Sequence, residues 1–117
     1  MENKHAAARK MIDAGLPVAV ASDHNPGSCQ FLGMNLIQSL AMLNLKMSAD
    51  EALIAATHHA AHALGLGDET GSLEVGKRAD ILLIRAKNYK EIGYRAGIDL
   101  CDTIIANGKV VDLRQIR

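Results

Sequence analysis

The fold is decided by residues 17–28, which read PVAVASDHNPGS. The apolar start of this stretch, residues 17–21, is typical of a strand buried on both faces of a parallel sheet. Asn25, Pro26 and Gly27 then supply the residue types of a tight turn. Asp23 lies just after the predicted strand, where parallel α/β folds place their functional side chains. The stretch therefore predicts an α/β protein with a candidate site in the loop after this strand.

Segments with helical spacing of apolar residues flank this stretch on both sides. We predict helices over residues 4–14, 35–44 and 49–64. Ser48 and Glu51 have the spacing of a capping box at the start of the third helix, and Gly65 ends it. The second helix has an apolar side made of Leu36, Ile37, Leu40, Ala41 and Leu43.

The chain changes character after Gly67, where glycines separate short apolar segments. Residues 81–84 predict a strand, and residues 103–111 predict a hairpin. Asn107 and Gly108 lie at the centre of that hairpin and tolerate the positive φ of a type I′ turn. We therefore divide the chain into a helical part, residues 1–68, and a β-rich part, residues 69–117.

Composition excludes several classes of protein. The chain has 117 residues, enough for one small domain. Basic and acidic residues number 13 each and aromatic residues make up 3%, so no charge or stacking surface for nucleic acid or an anionic membrane is present. Cys29 and Cys101 make no disulfide framework and are expected to be reduced. No apolar run resembles a signal peptide, so we expect a cytoplasmic protein.

Three patterns could carry chemistry, and each has a plainer explanation. Asp23 could ligate a metal or act as a base, or it could simply stabilise the turn before Pro26. Cys29 could be a nucleophile if Asp23 or His24 activated it, or it could be a small packing residue.

The third pattern is a group of histidines on the third predicted helix. His58 and His62 are four residues apart, so their side chains share a helix face and could coordinate one metal ion. The glutamate of the metalloprotease helix motif is absent, and His59 stands in its place. A polar helix face is the plainer reading.

Taken together, these residues resemble a known family. Residues 17–28 are similar to the segment around the last barrel strand of the imidazolonepropionases, a family of the amidohydrolase superfamily. Residues 71–80, GSLEVGKRAD, resemble the tail shared across that superfamily, and residues 107–111 resemble its closing hairpin. The resemblance implies the C-terminal piece of a (β/α)8 barrel, comprising its last helix and strand and the helices that follow, with part of a small β-sandwich domain.

The resemblance also implies a reaction. The family hydrolyses 4-imidazolone-5-propanoate to N-formimidoyl-L-glutamate in histidine degradation, and one zinc or iron ion activates the water that attacks the ring carbonyl. Asp23 matches the family's aspartate metal ligand, which is also placed to take the proton of that water. Asn25 and Gly27 match positions that hold the glutamate part of the product. Ser28 matches a position that contacts the substrate.

The chain departs from the family in ways that limit this reading. His24 stands where the family has an aromatic residue, and the family's other metal-binding histidines have no counterpart. A (β/α)8 barrel needs about 250 residues. We therefore expect the chain alone to be inactive and to bind no metal tightly. We also expect a homo-oligomer, formed through the apolar surface that the rest of the barrel would cover. The alternatives are a non-catalytic module that associates through this surface, or a piece of another amidohydrolase such as a deaminase.

Overall fold

A computed structural model describes residues 5–112, which form an α/β arrangement as predicted. Within this range the elements are α1 Ala8–Asp13, α2 Met34–Asn44, α3 Ala49–Ala56, α4 His58–Ala63, β1 Ile81–Ile84, α5 Glu91–Tyr94, β2 Cys101–Ala106 and β3 Lys109–Val110. The first helix is shorter than the predicted range 4–14, because residues 5–7 are not helical and α1 begins at Ala8; Lys4 itself lies outside the described residues. The division between residues 68 and 69 stays a prediction.

Arg9 ties α1 to the start of α3. Its guanidinium donates to both carboxylate oxygens of Glu51, at 2.8 and 2.9 Å, and to Asp13 at 2.8 Å. The predicted capping box is confirmed, because Ser48 Oγ accepts the Glu51 N–H at 3.1 Å and Glu51 accepts the Ser48 N–H at 2.7 Å. The hydrogen bond from Arg9, followed by that from the Ser48 backbone, lowers the pKa of Glu51 to about 2. One carboxylate thus starts a helix and anchors its neighbour.

Small side chains make up the core between these helices. The buried cluster consists of Ala8, Ala41, Met47, Ala52 and Ala55. Alanine lets helix backbones approach closely, but each one buries little apolar surface. Among the described residues no large side chain is fully buried. The core residues therefore pack closely, but their burial contributes only modestly to the free energy of folding.

The expectation of a strand over residues 17–21 buried on both faces is wrong for the described part of the chain. The segment forms no strand there, and its exposure alternates, with Val18 and Val20 half-buried and the residues between them exposed. The Val20 N–H donates to the Ala55 carbonyl at 3.1 Å, and His59 Nδ1 lies 3.0 Å from the Val18 carbonyl oxygen. Helices cover one face of the segment, and no strand among residues 5–112 pairs with its edges.

The predicted third helix is two helices. Thr57 interrupts it with φ −123° and ψ −85°, which separates α3 from α4. The Thr57 hydroxyl donates to the Leu53 carbonyl at 2.8 Å, so the threonine side chain competes for a helical acceptor. Gly65 ends α4 with φ +73°, as expected of a C-terminal glycine.

Helix α2 covers the predicted residues, and its predicted apolar side is buried only in part, with Ala41 in the core and Leu36 and Ile37 half-buried. Gln38 and Ser39 are buried, whereas Leu43 is 68% exposed. The reason is α5, which packs against α2 and receives a hydrogen bond from Ser39 Oγ at the Gly93 carbonyl. A Cβ at Gly93 would lie 2.7 Å from Met42 Sδ, so glycine lets the two helices meet.

The β-rich part is an antiparallel sheet in the order β1-β2-β3. The predicted hairpin is confirmed, with φ +50° at Asn107 and +75° at Gly108 between β2 and β3. Asp80 accepts the Asn107 N–H at 2.8 Å and so ties the turn to the start of β1. That hydrogen bond is the main cause of the lowered pKa of Asp80, ahead of the one from Arg78.

The Arg9–Glu51 contact predicts a specific acid sensitivity. The pKa of Glu51 is lowered from 4.5 to about 2, so its contribution to stability is complete above pH 4.5 and is lost as the pH falls toward 2. Urea unfolding from neutral pH downward should therefore show a wild-type advantage over Glu51→Gln that shrinks across this window. Arg9→Met should remove most of the same pH-dependent advantage. If the free energy of unfolding of Arg9→Met kept the wild-type dependence on pH, the ion pair would not be the source of that dependence.

Gly71 and Gly76 form a matched pair for a second prediction, since their φ values are +92° and +94°. A Cβ at Gly76 meets nothing within 4 Å, whereas one at Gly71 would lie 2.5 Å from Ala61 Cβ. Gly76→Ala should cost about 1–2 kcal/mol for its left-handed backbone alone. Gly71→Ala should cost about 1–3 kcal/mol more for the overlap, measured by urea unfolding. Equal losses would contradict close packing at Gly71.

Candidate functional site

The candidate site is the loop that follows the segment of residues 17–21. Asn25 and Cys29 pair as an antiparallel bridge, and the Asn25 N–H donates to the Cys29 carbonyl at 2.8 Å. The Cys29 thiol donates to the Ser22 carbonyl at 3.0 Å. These contacts close the loop on itself, and the tight turn predicted at Pro26 is confirmed between the bridged residues.

The side chain of Asn25 organises the interior of the loop. Its Oδ1 accepts the Gly27 N–H at 3.0 Å, the Ser28 N–H at 2.8 Å and the Ser28 hydroxyl at 3.3 Å. Its Nδ2 donates to the Asp23 carbonyl at 2.7 Å. Asparagine forms this kind of side-chain turn readily because its amide copies the backbone. One amide hydrogen of Asn25 remains for another partner.

Asp23 has an unusual backbone, with φ +52°. A left-handed conformation costs a non-glycine residue about 1–3 kcal/mol, although aspartate tolerates it better than most. Gly27, the glycine of the predicted turn, has no positive φ, and the left-handed residue of the loop is Asp23 instead. The known tolerance of aspartate for this region was the signal that could have located the bend.

The carboxylate of Asp23 is exposed and has no hydrogen bond or ion pair within residues 5–112. No three histidine, cysteine, aspartate or glutamate side chains of that range group closely enough to hold a metal ion. A catalytic zinc ion normally has three protein ligands. The described residues alone therefore do not fit a tightly held zinc or iron ion, and Asp23 can be only one member of such a ligand set.

The remaining sequence candidates do not join Asp23. Among the described residues, no hydrogen bond links the Cys29 thiol to Asp23 or His24, since the thiol faces the Ser22 carbonyl. His59 faces the Val18 carbonyl. The loop therefore contains no assembled nucleophile and base, and Asp23 is its one free acidic group.

An open groove of about 300 Å³ borders the same segment. It is lined mainly by apolar side chains, among them Val20, Ala21, Ile37, Leu40 and Ala41. Apolar surface of this kind is costly to leave in water.

No helix within residues 5–112 has the length and hydropathy needed to span a membrane.

Comparison with known proteins gives consistent results. Residues 2–111 match the amidohydrolase family. Imidazolonepropionases from Geobacillus kaustophilus and Alkaliphilus oremlandii are each 48% identical over 108 residues, which are 92% of this chain and 26% of those proteins. A solved structure of a candidate prolidase from Bifidobacterium longum is similar with a TM-score of 0.75 at 36% identity, covering 89% of this chain and 25% of that one. The chain spans about a quarter of the length of the relatives it matches.

The loop geometry predicts different effects for two substitutions of Asn25. Asn25→Ala removes the hydrogen bonds that the Asn25 side chain makes, so amide exchange at Gly27 and Ser28 should rise roughly fivefold for each lost bond of about 1 kcal/mol. Asn25→Asp keeps the accepting oxygen and should preserve protection of those two amides. Exchange measured by NMR separates the variants, with Asn44→Ala at an exposed helix end as the control. Equal exchange in all three would contradict the role of Asn25.

Proposed function

Because this chain belongs to the amidohydrolase family, we propose that it supplies one edge of the active site of an imidazolonepropionase. The observation that carries this proposal is the loop of residues 22–29. It presents the free carboxylate of Asp23 in a conformation held by Asn25. The 48% identity with two imidazolonepropionases supports this substrate over that of other amidohydrolases.

The proposed reaction is the hydrolysis of the ring C–N bond of 4-imidazolone-5-propanoate. The oxygen of water adds to the ring carbonyl carbon, the C–N bond breaks, and the departing nitrogen receives a proton. The product, N-formimidoyl-L-glutamate, therefore contains a new carboxylate and no ring. Asp23 is the group of this loop that can take the proton of the attacking water, because its carboxylate has no partner among residues 5–112.

The loop also has groups that can hold the substrate. The N–H groups of Gly27 and Ser28 already donate to Asn25, so they are not available to a substrate carboxylate. The second amide hydrogen of Asn25 is available, and the Ser28 hydroxyl makes only a long bond of 3.3 Å that it can exchange. We expect Asn25 and Ser28 to contact the ligand through these groups. Gly27 contributes by leaving space beside Asn25 Oδ1, which a Cβ would approach to 3.3 Å.

The rest of the proposed active site must come from further polypeptide. The chain covers about 26% of its relatives, and a barrel of this class needs about 250 residues. The open face of residues 17–21 and the apolar groove beside it are the surfaces such polypeptide would cover. The zinc or iron ion implied by the resemblance needs donors beyond residues 5–112. We expect the chain alone to have no turnover.

The alternative is a non-catalytic module that associates with copies of itself. The observation in its favour is the exposure of large apolar side chains, including Leu32 at 75%, Leu43 at 68% and Leu64 at 74%. Patches of this kind promote association. Sedimentation at high concentration tests this alternative: a stable homo-oligomer supports it, and a compact monomer counts against it.

A chimera tests the proposed function directly. We would replace the matching region of the Geobacillus kaustophilus imidazolonepropionase with residues 2–111 and measure turnover of imidazolone propanoate. The chimera should be active, and Asp23→Asn should lower kcat by at least about 100-fold, the usual value of a positioned acid or base. Asp68→Asn, at an exposed position outside the loop, is the control and should leave turnover unchanged.

Two results would overturn the proposal. Unchanged turnover in Asp23→Asn would remove the residue on which it rests. A chimera with native circular dichroism that hydrolyses another cyclic amide but not imidazolone propanoate would assign the chain to a different amidohydrolase.

A further inference from the structure

We propose that His58 and His62 form a surface binding site for one late first-row divalent metal ion, such as Zn²⁺ or Cu²⁺, separate from the Asp23 loop. The proposal concerns α4 and does not depend on the proposed function. The residues of this pair and of the Asp23 loop belong to no common cluster of three or more potential ligands among residues 5–112.

The geometry of α4 brings the two rings together. His58 and His62 are one helical turn apart, and their ring centroids are 4.5 Å apart with planes tilted by 67°. Neither ring has a hydrogen-bond partner within residues 5–112. The Nδ1 side of the His62 ring lies against Gly67, so Nε2 is the nitrogen of His62 that we assign to the ion. Neutral imidazole nitrogen is a preferred ligand of zinc and copper, and two histidines at this spacing can reach a common ion by small side-chain rotations.

His59 does not belong to this pair. Its ring centroid is 5.8 Å from that of His58, and its Nδ1 lies 3.0 Å from the Val18 carbonyl oxygen. The contact directs His59 toward the segment of residues 17–21. The proposed site therefore has two protein ligands, and water completes the coordination. Two ligands predict exchangeable binding of the ion, unlike a closed structural zinc site.

An acidic group lies near the pair. Hydrogen bonds from Ser72 and Lys77 chiefly lower the pKa of Glu74. The charge of His58 lowers the pKa of Glu74 a little further. Lys77 Nζ is 3.1 Å from the Glu74 carboxylate, so this carboxylate is partly neutralised. Glu74 favours a cation at the pair through its field and needs no direct contact with the ion.

Metal binding here would stabilise a weak element. Helix α4 has only 6 residues and starts at the irregular backbone of Thr57. Helices much shorter than about 12 residues are marginal without outside support. An ion that joins His58 to His62 spans a full turn of α4 and holds it in helical form. Because the ion binds the folded chain, the midpoint of thermal unfolding should rise with its concentration.

Calorimetric titration of the untagged chain with ZnCl₂ and CuCl₂ tests this site. We expect one ion per chain, and a loss of affinity of at least about tenfold in His58→Gln and in His62→Gln, since even outer partners of a metal site are worth that much. His59→Asn is the matched control on the same helix, because its amide can still donate to the Val18 carbonyl. It should keep the wild-type affinity and the metal-induced rise in unfolding midpoint.

Each variant is checked by circular dichroism, because the His62 ring lies against Gly67 and its loss could disturb packing. His58→Gln, which is free of that contact, keeps the test decisive. Absence of binding to the wild-type chain would overturn the proposal. Wild-type affinity in both glutamine variants would also overturn it. Loss of affinity in Asp23→Asn with none in His58→Gln would overturn it as well and would place the ion at the loop.

Discussion

The candidate site depends on two hydrogen bonds that hold residues 17–21 against the junction of α3 and α4. The Val20 N–H donates to the Ala55 carbonyl, and His59 Nδ1 contacts the Val18 carbonyl oxygen. Ala55 is 1% exposed, so the segment approaches the helix closely. Because the Asp23 loop follows this segment, its position relative to the helices is set by these contacts. They also stand in for the sheet ladder that such a segment would otherwise need.

The same contacts explain why one side of the molecule is open. Helices satisfy one face of residues 17–21, and no strand of residues 5–112 covers the edges. The core beneath consists mainly of alanines, which allow close approach of helices but bury little area. The Arg9–Glu51 pair and the Ser48 cap therefore matter more to the helical part than they would beside a large core. The open apolar face and small core accompany a match to only about a quarter of the length of the relatives.

The turn of the candidate loop was predictable from its residues, whereas the path of the backbone around it was less so. Asp23 and the turn at Pro26 follow from residue types that favour loops after strands. The roles carried over from the resemblance for Asn25, Gly27 and Ser28 stay predictions. The structure adds that Asn25 already uses its oxygen and one amide hydrogen inside the loop. The residue types predicted a tight turn at Pro26, and the structure adds that the loop closes through the Asn25–Cys29 bridge and has its positive φ at Asp23.

The sequence by itself determined the features that residues a few positions apart create. The capping box of Ser48 and Glu51 and the type I′ turn at Asn107 and Gly108 are of this kind, because their hydrogen bonds and φ values are local. Only the tertiary structure decided which surfaces meet. It buried Ser39 and left Leu43 exposed because α5 packs on one side of α2, and it gave residues 17–21 no strand partner among residues 5–112. A helical or alternating pattern of apolar residues indicates that one face of an element is apolar. Whether that face is covered depends on which element from elsewhere in the chain packs against it.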